Sequence, residues 1–188
     1  MIKKLVAFDF DGTLSDSPMP DEGKKIWKTK KGVDYSHKGW WGRVESLDNE
    51  VFNITMFKGI LDILEKEILN DETYVIILTS RMEKLRPQVE KILKDCGVHV
   101  DKIDMKRSNK TKGEKILRYT KEFPHLREIC VYDDKDSEIK VYQDIVSELP
   151  WRIDFKIFLA DKGKVTQVKT NNKLLTIIWS EIRKLVKK

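Results

Sequence analysis

Short apolar, β-branched runs recur along the chain at Leu5–Phe10, Tyr74–Leu78, Val98–Ile103, Ile129–Tyr132 and Phe155–Leu159, each of a length that suits a buried strand. Between them the apolar positions change period. Phe57, Ile60, Leu61, Leu64 and Ile68 fall on one helical stripe. Leu85, Val89, Ile92, Leu93 and Cys96 form the next, with Gly97 placed to end it in a left-handed turn. Ile116 to Thr120 predicts a third helix, Ile139 to Leu149 a fourth, and Leu174 to Val186 a last, amphipathic one that packs on the sheet. Strands alternating with helices predict an α/β fold, a Rossmann-like, mostly parallel sheet with helices on both faces. In that architecture ligands bind beyond the carboxyl ends of the strands.

The alternation fails between Ser15 and about Thr55, where two prolines, a lysine-rich segment and Gly39-Trp40-Trp41-Gly42 show no clear period. This stretch, residues 15–55, is expected to be a small cap inserted after the first strand and folded over the site, within one domain spanning residues 1–188. At 188 residues the chain builds one full-sized core, and no Gly-Ser or proline-rich linker divides it.

Composition adds limits. Charged residues make up 36% and apolar ones 40%, which suits a soluble protein with strongly charged helix faces. Lys and Arg outnumber Asp and Glu by 37 to 31, so an anionic partner such as nucleic acid is allowed, although a solvated surface accounts for such lysine runs equally well. Cys96 and Cys130 both sit in apolar patterns and read as buried thiols, the usage of a cytoplasmic chain. The N-terminus leads straight into a strand with no signal-like apolar region, and no run is long enough to span a membrane. His37, His99 and His125 lie far apart, without metal-ligand spacing, which argues against zinc.

Chemistry concentrates at the strand ends. Val6-Ala7-Phe8-Asp9-Phe10-Asp11-Gly12-Thr13-Leu14 ends an apolar run in two carboxylates two positions apart, which alternation along a strand aims at one site. One carboxylate there can attack phosphorus, the other can handle the leaving-group proton, and both can bind a hard cation. Asp-Gly between apolar runs is also a hairpin signal. The two prolines that follow, Pro18 and Pro20, disfavour a paired return strand. The second run ends in Thr79-Ser80-Arg81: Thr79 is expected to hydrogen-bond a phosphoryl oxygen or to cap a helix, and Arg81 to contact substrate or to form a surface ion pair. The fourth ends in Asp133-Asp134, adjacent acids that repel unless a cation compensates. With Asp9 and the Asp11 carbonyl they would make a magnesium site, while one of the two also caps the next helix. The basic stretch Lys110-Thr111-Lys112-Gly113-Glu114-Lys115 supplies a cation for the phosphoryl oxygens, with Lys115 favoured over Lys112. It lacks the glycine spacing of a P-loop.

With these residues in hand, the chain resembles the haloacid dehalogenase (HAD) superfamily of phosphohydrolases. Asp9-Phe10-Asp11-Gly12-Thr13-Leu14 matches its first motif, Thr79 its second, Lys115 or Lys112 its third and Asp133-Asp134 its fourth. Asp16-Ser17-Pro18, Trp27, Gly39-Trp40-Trp41, Leu78 to Arg81, Thr111 with Lys115, and Tyr132-Asp133-Asp134 are similar to the branch called Swiss Army Knife RNA repair-like. Lys135 and Glu138 depart from it, standing where arginine and histidine are expected. The resemblance implies an Mg2+-dependent phosphatase acting through an aspartyl-phosphate on Asp9, with Asp11 as acid and then base, Thr79 and Lys115 at the phosphoryl group, and Gly12, Thr13, Ser80, Arg81 and Lys112 around the substrate. It also points toward phosphorylated RNA or DNA ends. Trp40 and Trp41 either stack on bases or anchor the insertion's core. A phosphatase or mutase of a small metabolite and a non-catalytic nucleic-acid-binding module are the rival functions.

Overall fold

The computed structural model describes residues 1–169, so the amphipathic segment from Leu174 to Val186 lies outside the described residues. Six strands form one sheet: β1 (Lys4–Phe8), β2 (Thr73–Met82), β3 (Lys102–Lys106), β4 (Glu128–Asp133), β5 (Asp154–Asp161) and β6 (Lys164–Val168). Their spatial order is β3-β2-β1-β4-β5-β6, with β1 to β5 parallel and β6 antiparallel to β5. The helices are α1 (Pro20–Lys31), α2 (Asn49–Phe52), α3 (Lys58–Ile68), α4 (Arg86–Asp95), α5 (Lys112–Glu122) and α6 (Asp136–Asp144). Each parallel step needs a crossover, and a helix in the connection gives the sheet an apolar face to cover.

Alternation along the strands splits the core into two layers. Val6 and Phe8 of β1 join Val75 and Ile77 of β2 against Ile60 and Leu64 of α3 and Val89 and Ile92 of α4. Leu5 and Ala7 face the other way, with Ile76, Leu78, Ile129 and Val131, under Ile116 and Tyr119 of α5 and Ile139 and Tyr142 of α6. Both faces are therefore covered, and the polar ends of β1, β2 and β4 meet at one edge.

Several boundaries differ from the sequence expectation. The third strand starts at Lys102 rather than Val98: Val98 is buried in the core, but the backbone of 98–101 is outside the ladder, and the Asp101 carboxylate instead accepts the Val75 N–H at 2.7 Å. The second strand runs on to Met82, so Thr79, Ser80 and Arg81 lie inside it and cap no helix. The helix expected to reach Leu149 ends at Asp144 and continues as a 3-10 turn, Val146–Glu148. Strand β6 was not expected; it returns through Lys162 and Gly163, both at positive φ, the backbone of a tight hairpin.

Segment 15–55 holds α1, a 3-10 turn (Val44–Leu47) and α2. The lysine-rich stretch is thus helical, with Pro20 at its start, Asp21 and Glu22 in the first turn, Lys28, Lys30 and Lys31 in the last, and Gly32 in the left-handed conformation beyond. Trp40 packs into this unit, its ring against Gly23 and Phe52 and its indole N–H donating to the Pro18 carbonyl at 3.0 Å.

Candidate active site

Strand β1 stops at Phe8, and the Asp9 N–H still donates to the Tyr132 carbonyl of β4 at 2.9 Å, which holds Asp9 beside the end of that strand. The Lys112 ammonium, in the first turn of α5, lies 2.7 Å from Asp9 Oδ1 and 2.6 Å from Asp133 Oδ2, with all three side chains buried. Asp133 is fixed further by the Lys135 N–H and the Tyr142 hydroxyl, which donate to its two oxygens. Burial pushes Asp9 up to about 8 against the pull of Lys112, and the Asp133 and Asp11 charges add to the rise. Burial alone would lower Lys112; the carboxylates around it override this and raise it well above its ordinary value. One ammonium thus serves a pocket that has more negative charge than it can balance.

Asp9, Asp133 and Asp134 each offer an oxygen within 4.8 Å of the others. Asp134 Oδ1 is buried and finds no hydrogen-bonding partner among the described residues, and burial raises the Asp134 carboxyl above its usual range. A hard cation fits this donor set: all ligands are oxygens, the local charge is negative, and one buried oxygen is unpaired. Gly12 makes the approach possible. At φ +79 it takes the left-handed turn after Asp11, and a Cβ there would sit 2.5 Å from Asp134 Oδ2.

Asp11 has different partners from Asp9, because the chain has left the sheet and strand alternation no longer governs it. Arg81 grips Asp11 with two hydrogen bonds of 2.8 Å, Nε to Oδ2 and Nη2 to Oδ1, and Ser17 donates to Oδ1 at 2.6 Å. Arg81 is 1% exposed, so it forms neither a surface ion pair nor, in this conformation, an open substrate contact. Its remaining nitrogen donates to Ser46 Oγ at 2.5 Å and to the Trp41 carbonyl at 3.0 Å, which ties the insertion to β2. Ser17, Ser46 and Tyr142 had no role assigned from sequence. Ser17 lies in a stretch singled out there, whereas Ser46 meets a partner 35 positions away and gives no local signal.

Thr79 is buried, and its Oγ1 accepts the Arg81 N–H at 3.1 Å. Ser80, the next residue of β2, is exposed. The order of the two lysines is reversed relative to the sequence expectation: Lys112, not Lys115, reaches Asp9. Lys115 lies nearly one helical turn further along α5, where it pairs with Asp104 at 3.0 Å and donates to the Met105 carbonyl at 2.9 Å. Trp40, 3% exposed, is a packing residue and offers no stacking face. Trp41 does border the site, with the Arg81 guanidinium 4.9 Å and the Lys135 ammonium 5.1 Å from its ring centre. Lys135, one of the departures noted in the sequence, therefore links the loop after β4 to the insertion. Thr13 is fully buried, and its hydroxyl has no partner among the described residues.

Two clefts adjoin this site, one through Thr79 and Lys112 and one through Gly12 and Asp134, and they carry opposite charge. Beside Lys112 lies a cavity of about 200 Å³ whose lining includes Lys106, Lys110, Lys112 and Lys115 against one acid, Glu138. Beside Gly12 and Asp134 a cleft of about 550 Å³ is lined by Asp16, Glu22, Asp136 and Asp161 against one lysine, Lys162.

The mostly parallel strand order, with Asp9 and Asp11 beyond β1 and Asp133-Asp134 at the end of β4, is that of the haloacid dehalogenase-like fold. Solved structures of that fold resemble it at low identity. One is in the Pnkp1/Rnl/Hen1 RNA repair complex: TM-score 0.52 and 15% identity, covering 85% of this chain and 43% of that one. A HAD-superfamily hydrolase of Geobacter sulfurreducens gives 0.51 at 14% identity, covering 93% and 96%. An archaeal β-phosphoglucomutase from Pyrococcus gives 0.50 at 15%, covering 94% and 99%. No protein-family model matches the chain. An uncharacterised protein of Saccharomyces cerevisiae is 23% identical over 79% of this chain, which spans 38% of that relative's length.

Proposed function

We propose that the chain is a magnesium-dependent phosphomonoesterase that forms an aspartyl-phosphate on Asp9 and acts on phosphorylated nucleic-acid ends or nucleotides. The observation that carries this is the Lys112 ammonium between Asp9 and Asp133, beside the unpaired oxygen of Asp134. A carboxylate attacks phosphorus only where the phosphoryl oxygens are neutralised, and Lys112 stands where it can do so. Mg2+ held by Asp9, Asp134 and the Asp11 carbonyl would supply Lewis-acid neutralisation of those oxygens. Asp133 keeps Lys112 in place, and Thr79 helps orient the phosphoryl group.

In the first half, an Asp9 oxygen bonds to phosphorus as the bond to the leaving oxygen breaks, and Asp11 passes a proton to that oxygen. In the second, Asp11 takes a proton from water as it attacks phosphorus and frees Asp9. Arg81 and Ser17 donate to both oxygens of Asp11 and fix its position as a carboxylate, the form that takes the proton from water. To give a proton in the first half, Asp11 must carry it on an oxygen released from one of these hydrogen bonds. The nucleic-acid substrate draws support from the basic cleft, from the Swiss Army Knife-like motifs and from the likeness to a chain of an RNA repair complex. The test is phosphate release from RNA and DNA bearing 3′ or 5′ terminal phosphates, from mononucleotides and from sugar phosphates, with Mg2+ and with chelator. Release is expected to need Mg2+ and to vanish in Asp9→Asn. Full metal-dependent activity in Asp9→Asn refutes the mechanism; an isomeric phosphate ester in place of free phosphate makes the enzyme a mutase.

A further inference from the structure

Lysines in the cavity beside Lys112 divide into two sets. Lys112 and Lys115 are buried and engaged, by Asp9 and Asp133 and by Asp104. Lys106, the last residue of β3, and Lys110, in the loop that leads to α5, are exposed and make no ion pair among the described residues. Exposed Ser80 and Asn109 share this lining with Lys112. These groups are not needed to hold the phosphoryl group on Asp9, for which Lys112 already stands in place. In the other cleft, which Gly12 and Asp134 line, Asp16, Glu22, Asp136 and Asp161 repel a second anionic group. A substrate with one phosphate gains little from this asymmetry, whereas one with a second phosphate is directed to a single side.

From this we infer that the cavity is a second-phosphate subsite, in which Lys106, Lys110 and Ser80 hold the phosphate that neighbours the one being cleaved. The subsite rests on the phosphomonoesterase reading for the position of the cleaved group. Its chemistry is shared by two sources, the phosphodiester of an oligonucleotide and the second ester of a small bisphosphate. Lysine ammonium groups act on either as point charges, and Ser80 and Asn109 add hydrogen-bond donors.

The test compares adenosine 3′- and 5′-monophosphate, adenosine 3′,5′-bisphosphate, and an adenine dinucleotide with a terminal phosphate on the full chain, by direct calorimetric binding and by phosphate release. Wild type is expected to prefer a two-phosphate ligand over the monophosphates by roughly tenfold, the size of two partly exposed ion contacts. Lys106→Ala/Lys110→Ala should erase that preference and weaken the salt dependence of dinucleotide binding. Lys66→Ala/Lys94→Ala, with equal charge loss on remote helix surfaces, should leave the preference intact. A gain confined to the dinucleotide identifies a phosphodiester, and a gain shared by the bisphosphate identifies either source. Equal binding of one- and two-phosphate ligands by wild type, or an undiminished preference in Lys106→Ala/Lys110→Ala, overturns the subsite. Preference in binding with no phosphate release from any ligand instead sinks the phosphatase and leaves the subsite standing.

Discussion

At the scale of single residues, the contrast between two lysines three positions apart separates chemistry from architecture. Removing Lys112 leaves Asp9 and Asp133 buried without their shared ammonium, a change expected to cost about 3–5 kcal/mol of stability. Phosphate release should fall at least a hundredfold in the folded Lys112→Ala protein, as when one donor to a developing charge is lost. Lys115→Ala should cost less stability, about 1–3 kcal/mol, because Asp104 retains Arg118 and Tyr119 as partners, and turnover per folded molecule should stay near wild type. Chemical denaturation paired with single-turnover rates distinguishes the two. Asp104 gives a pH prediction. Burial alone would raise it, but Lys115, Tyr119 and Arg118 hold it below its ordinary 3.8. Its stabilisation is therefore complete above the ordinary carboxylate range and is lost as pH falls through the lowered folded value. Acid titration of Asp104→Asn should accordingly show a shallower loss of stability below pH 3.8 than wild type, at a lower starting stability.

Among the elements, the insertion depends on one large side chain. Trp40→Ala should cost about 3–5 kcal/mol if the unit unfolds together with the sheet, read as a fall in the denaturation midpoint. Because Arg81 binds both Asp11 and the insertion through Ser46 and Trp41, loosening that unit should also lower turnover. The strands of the central sheet were legible in the sequence because buried parallel strands read as continuous apolar runs, and the acids after β1 and β4 stood out at their ends. Helix α1 was not, since its signals are caps and charges rather than an apolar stripe, and only Gly23 of its residues is buried. The partners of Arg81 were equally hidden: they come from a segment whose position no local pattern specifies. The choice between Lys112 and Lys115 depended on how far along α5 the helix meets β1 and β3, a fact of tertiary packing.

On the scale of the whole molecule, the charge contrast between the two clefts reaches beyond the residues that line them. A phosphorylated substrate of the proposed kind, still in solution, would meet attraction at the cleft of Lys106 and Lys110 and repulsion at the cleft of Asp16 and Asp161. That field turns the two molecules before they touch, so encounters begin with the basic side leading. Added salt shortens its range from about 10 Å at 0.1 M to about 3 Å at 1 M. Stopped-flow association rates for a phosphorylated oligonucleotide should therefore drop with ionic strength, while the rate of the bound complex, measured in single turnover, changes little. An anisotropic surface would thus act on diffusion as well as on chemistry, setting the speed of capture ahead of any step at Asp9.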